Sequence, residues 1–202
     1  MKQAIIPALL SCALATQALA APAVNKDYIR SLAAPGKTVL VVEYYDGTGK
    51  VADRKGYATA NGFKAISATE FRVDASTTLH LYGVQPCSGD LVNRAEDYSG
   101  TCEEFGTQQL QTMLQSPKVL FCRAFISEQT APVQDVTCYG YYNYPGAMDT
   151  VDNLEEQLLS LGAVRLTKKA DGSFERPDLA EAQEIAQKGS FGMWADPRVK
   201  AQ

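Results

Sequence analysis

Four cysteines in the middle of this 202-residue chain, Cys87, Cys102, Cys122 and Cys138, constrain its fold more than any other feature. Their meaning depends on redox compartment, which the N-terminus indicates. Lys2 gives a short positive start, Ala4 to Ala15 is almost continuous in small and apolar residues, and Ala18-Leu19-Ala20 forms an A-x-A cleavage site before Ala21-Pro22. This reads as an export signal over residues 1–20. Pro7, Ser11, Thr16 and Gln17 interrupt it and no stop-transfer charges follow, so a membrane-spanning helix is not expected. Leu9-Leu10-Ser11-Cys12 has the look of a lipoprotein cleavage site, but cleavage there would leave a very short apolar region. In an oxidising compartment the remaining even count predicts two disulfides, with three pairings open to sequence alone. Cys122 lies in the apolar run 118–126 and Cys138 in the run 133–144, with a polar, Pro-containing turn between them. A hairpin would set those two face to face and leave Cys87 and Cys102 to close the Gly-, Ser- and Asp-rich loop between them. A metal site is not expected, because there is no C-x-x-C pair and only one histidine.

Removing residues 1–20 takes away Lys2 and no acid, moving the net charge from −4 to −5. An acidic chain without a basic cluster is poorly built for phosphate neutralisation, which disfavours nucleic acid as a partner. Gly47-Thr48-Gly49-Lys50 reads as a turn, since it lacks the spacing and following helix of a phosphate loop. A leader, 21–36, carries a short helix over Lys26–Ala33. Strand-like runs follow at 38–45, 56–60, 63–66, 70–73 and 77–84, then a helix at 103–115, the hairpin, a helix with Leu154, Leu158 and Leu161 on one face, and a helix at 179–188 begun by Asp178 and closed by Gly189. Strands first and helices late predict an α+β, β-rich fold, a five-stranded OB-type barrel with about three packed helices over residues 37–197, and a short tail, 198–202.

Two stretches carry a resemblance to a known family. Thr78-Leu79-His80-Leu81-Tyr82-Gly83-Val84-Gln85-Pro86 resembles the active-site strand of the thermonuclease (staphylococcal nuclease-like) family, roughly I-R-L-x-G-I-D-x-P-E. Leu179 to Ala186, followed by Gly189 and Gly192-Met193-Trp194, resembles its late A-E-x-x-A…G-x-W helix. The resemblance implies the OB-type scaffold but not its chemistry. Ser67 and Thr69 stand where the family places calcium-binding acids, His80 where it places an arginine, Gln85 about where it places an aspartate, and Cys87 where it places a glutamate. In Asp135-Val136-Thr137-Cys138-Tyr139-Gly140-Tyr141, the counterpart of D-x-Y-G-R, Tyr141 replaces the second arginine. Phosphodiester hydrolysis on this scaffold needs carboxylates around a hard cation and guanidinium groups on the phosphate. Tyrosine cannot make the bidentate charged contact of arginine.

The expectation is therefore an exported, periplasmic or secreted module of the cell envelope that binds rather than hydrolyses. It needs no cofactor, and its partner is a protein or a glycan. Tyr139, Tyr141 and His80 are the candidate binding residues; Tyr139 and Tyr141 share one strand face, Tyr142 and Tyr144 the other. Trp194 is expected in the core and Glu181 in solvent. The alternative is a nuclease with a rearranged site built on Glu70, Asp74 and His80, which would require calcium.

Overall fold

The computed structural model describes residues 24–115, 117–146 and 148–200. The expected export signal lies outside the described residues. The elements run α1 (Lys26–Ser31), β1 (Thr38–Tyr45), β2 (Val51–Thr59), β3 (Lys64–Ala65), β4 (Glu70–Arg72), β5 (Thr78–Leu81), β6 (Val84–Gln85), β7 (Asp90–Asn93), β8 (Tyr98–Thr101) and α2 (Cys102–Gln115). After these come β9 (Val119–Phe125), β10 (Val133–Tyr144), β11 (Met148–Asn153), α3 (Leu154–Ser160), β12 (Arg165–Leu166), α4 (Ala180–Gly189) and α5 (Pro197–Lys200). No helix among the described residues is long and apolar enough to cross a membrane.

One mixed sheet organises the chain, in the order β2-β1-β9-β10-β5-β4-β3, with β11 also paired to β10. β1 lies parallel to β9, and β5 lies parallel to the start of β10. The fold is α+β and β-rich, as expected, but the five-stranded barrel is not closed. The path ends at β2 and at β3 with no ladder between them among the described residues, and β3 and β4, at two and three residues, offer little backbone to carry one.

β1 is apolar on both faces because both are covered. Leu40, Val42 and Tyr44 face the larger core with Leu120 and Cys122 of β9, against α2, α3 and α4. Val41 faces a smaller core with Val119, Phe121, Tyr141 and Val151, roofed by Ile29 of α1. The helix α1 forms where the Asn25 side chain accepts the Tyr28 N–H, an N-cap that satisfies one of the orphan donors of a first turn. The segment expected to be only a leader thus packs as part of the sheet's outer layer.

Both predicted disulfides are present. Cys87 bonds Cys102, and Cys122 bonds Cys138 across the β9–β10 hairpin, where the two residues are direct register partners. Several expectations need correction. The run 77–84 is broken by the Tyr82-Gly83 turn into β5 and β6, since Gly83 has φ +80°, a backbone conformation that favours glycine. The loop between Cys87 and Cys102 contains the β7–β8 hairpin rather than irregular chain. Asp178 does not cap α4: its carboxylate takes the Arg176 guanidinium, and the helix is entered through a 3₁₀ turn at Pro177–Leu179.

Candidate functional site

The long strand β10 decides where polar groups gather, because two strands share one of its edges in succession. β5 pairs with Val133 to Val136, and β11 pairs from Tyr139 onward. Between them the ladder has a gap at Thr137 and Cys138. Cys138 and Cys122 are an opposed pair 4.1 Å apart at Cα, the spacing of a non-hydrogen-bonded pair, so the Cys138 N–H points away from β9 and into that gap. A buried donor there needs a partner. Glu155, fully buried in the first turn of α3, supplies it with both carboxylate oxygens 3.2 Å from the Cys138 nitrogen. Arg176 enters the same gap: its Nη1 donates to Thr137 Oγ1 at 2.9 Å and lies 4.0 Å from Glu155, and its Nη2 donates to Asp178 at 2.8 Å. Gly83 is what admits it, since a Cβ there would stand 2.4 Å from Arg176 Cγ. Burial pushes the Glu155 carboxyl up to about 7, against the opposing pull of the Arg176 charge and the Cys138 N–H.

The exposed part of the outer sheet face holds a second constellation. Glu70 of β4, His80 of β5 and Asp135 of β10 are successive register partners, so their side chains stand in a row on one face. His80 Nδ1 lies 2.7 Å from Asp135 Oδ1, a hydrogen bond in which the imidazole N–H donates. The bond fixes the ring and turns Nε2 away from Asp135. Both Asp135 and Phe125, just past the end of the β9–β10 ladder, project from the same face as Thr137 and Arg123.

The remaining predicted residues do not join this row. Thr69 is buried, its carbonyl accepting the Leu81 N–H and its own N–H donating to Ser67 Oγ. Gln85 pairs with Arg165 in the β6–β12 ladder, and Cys87 is held in its disulfide. Asp74 closes the β4–β5 turn by accepting from Ser76 and Thr77, which explains its lowered pKa and removes it from His80. Tyr141 is only 7% exposed, lies in the cluster under α1 with the Arg30 guanidinium 5.9 Å from its ring, and accepts from Asn143. Tyr139 packs beside the same cluster, and burial raises its pKa. Six residues of strand, about 20 Å, separate Tyr141 from the position opposite His80, so the expected joint surface of Tyr139, Tyr141 and His80 does not form. Asp135 and Glu155 are the polar groups that motif reading passed over. Asp135 stood inside a quoted motif, but its pairing with His80 depends on a parallel register between segments 55 residues apart. Among the described residues no group of three or more His, Cys, Asp or Glu side chains is placed to hold a metal ion. No protein-family model matches the chain, and no curated protein does.

Proposed function

We propose that this protein is an exported, thermonuclease-like module that binds a partner in the cell envelope and does not hydrolyse phosphodiesters. One observation carries the reading: Thr69, Gln85, Cys87 and Tyr141, the positions the resemblance assigns to metal ligands and phosphate-binding arginine, carry no charge, and of these Thr69 and Tyr141 are buried and Cys87 is held in a disulfide. The parallel β5–β10 and antiparallel β9–β10 pairings support an OB-type ancestry, and two disulfides suit an oxidising compartment. The surface left for a partner is the part of the outer face that α1 does not roof, around His80 and Asp135. The test is degradation of single-stranded DNA and RNA by the purified mature chain, with calcium and with a chelator. No chelator-sensitive product is expected; its appearance would overturn the reading.

A second reading rests on the His80–Asp135 contact. A carboxylate on Nδ1 orients an imidazole as a general base, with Nε2 left to take a proton, and Glu70 stands beside it. A hydrolase of this kind would lose activity on His80→Ala and keep it on Asp74→Asn, since Asp74 serves only its turn.

A further inference from the structure

We infer that the uncovered part of the outer sheet face, from Phe125 through Asp135 and His80 to Glu70, docks a segment of another protein that carries lysine or arginine beside aliphatic side chains; this rests on the binding-module reading above. α1 roofs the part of this face formed by Val41, Phe121 and Tyr141. Beyond it, Phe125 is 67% exposed, Val133 45% and Ile126 38%, all at one end of the β9–β10 hairpin. Contiguous apolar side chains exposed at a hairpin end mark a contact surface more often than scattered ones do.

Charge selects the occupant. Asp135 and Glu70 flank His80 in the cross-strand row, and Glu128 is drawn to the same place by accepting the Asp135 N–H at 3.3 Å. Of the cations on this face, Arg54 donates to Glu43 at 2.7 Å, Arg123 donates to the Tyr45 hydroxyl at 3.0 Å with its guanidinium 4.6 Å from that ring, and Arg176 is held by Thr137 and Asp178. Arg72 and its register partner Lys64 stand at the β3–β4 margin. An apolar patch rimmed by carboxylates is complementary to a cationic segment and repels phosphate. A second copy of this chain, net charge −4, would bring acid against acid. A neutral glycan would gain from the Phe125 ring, but Ile126 and Val133 offer it neither a stacking face nor a hydrogen bond, whereas aliphatic side chains pack on them directly.

The mature protein is titrated with a fluorescein-labelled Leu-Lys repeat peptide, with a Leu-Glu repeat peptide, a neutral chitin oligosaccharide and single-stranded DNA as comparisons. The Leu-Lys peptide is expected to bind, to weaken at high salt, and to lose about tenfold in affinity, or 1.4 kcal/mol, with either Phe125→Ala or Asp135→Asn. Glu181→Gln, on the exposed face of α4, should leave binding unchanged and so separates a local site from general attraction to an acidic protein. Both patch side chains are exposed, and thermal melts of the variants confirm folding. Leu-Lys binding that ignores both patch substitutions, equal binding of the Leu-Glu peptide, or no peptide binding overturns the inference. If the oligosaccharide alone binds and depends on Phe125, the cationic partner is wrong while the binding module stands; chelator-sensitive nuclease activity with no peptide binding removes both.

Discussion

Glu155 shows how much a single residue can carry in this molecule. It fills the gap where β5 leaves β10 and β11 has not yet begun, and it answers both the Cys138 N–H and the nearby Arg176. Its carboxyl is raised from 4.5 in the unfolded chain to about 7 in the fold, with burial as the main cause. Between those values the folded state binds more protons than the unfolded one, so this contribution to stability is complete below the lower value and is lost as pH rises through the upper one. The size is on the order of a few kcal/mol. Glu155→Gln, whose amide oxygen still accepts from Cys138, should remove that slope when denaturant midpoints are compared at about pH 5 and pH 8. Glu155→Ala should destabilise at pH 5 by about 1–3 kcal/mol, since it leaves the buried Cys138 N–H without an acceptor, while Arg176 keeps Asp178.

At the scale of elements, β10 is the hub and α1 the roof. β9, β5 and β11 all pair with β10, and each face of the central strands has its own cover. Ile29 is the fully buried residue through which α1 grips Val41, Phe121 and Tyr141. Ile29→Ala should cost about 2–4 kcal/mol and speed hydrogen exchange in 26–31 more than in β9; equal protection there would mean that α1 is not docked through this side chain. Strands β7, β8 and β11 escaped the sequence reading because Asp90-Leu91-Val92-Asn93, Tyr98-Ser99-Gly100-Thr101 and Met148–Asn153 have no sustained apolar alternation. The β7–β8 hairpin is held instead by Asn93, 1% exposed, whose amide donates to the Gly192 carbonyl and whose oxygen accepts from Ala95 and Glu96. The contact to Gly192 links residues 99 apart in the chain and leaves no local pattern.

For the molecule as a whole, the two disulfides tie different regions to one core. Cys87–Cys102 anchors the β7–β8 hairpin at the start of α2, and Cys122–Cys138 staples the central hairpin, with all four sulfurs' residues buried. The loops they close span 15 and 16 residues, for which chain entropy gives about 3 kcal/mol each. A domain stable by about 5–15 kcal/mol should tolerate the loss of one bridge and not of both. Replacing either pair by serine should lower the denaturation midpoint, and replacing both pairs, or expressing the unaltered chain without an oxidising compartment, should leave little folded protein. Full stability of the reduced protein would contradict this.

The sequence by itself determined the start of α1, the strand β1, the central hairpin that selects Cys122–Cys138 from three open pairings, and the alternation that divides Tyr139 and Tyr141 from Tyr142 and Tyr144, because each is set by local periodicity or by residues close along the chain. Tyr142 illustrates this: it faces away from α1 and donates to the Met113 carbonyl on the other side of the sheet. Tertiary structure alone decided which of these tyrosines solvent can reach, since a helix from the first described residues covers Tyr141. It also decided that His80 finds Asp135 and that Glu155 lies sealed against Cys138. Those outcomes depend on parallel pairing and on a gap between two strands sharing an edge, properties of three-dimensional register that the order of residues along one segment does not contain.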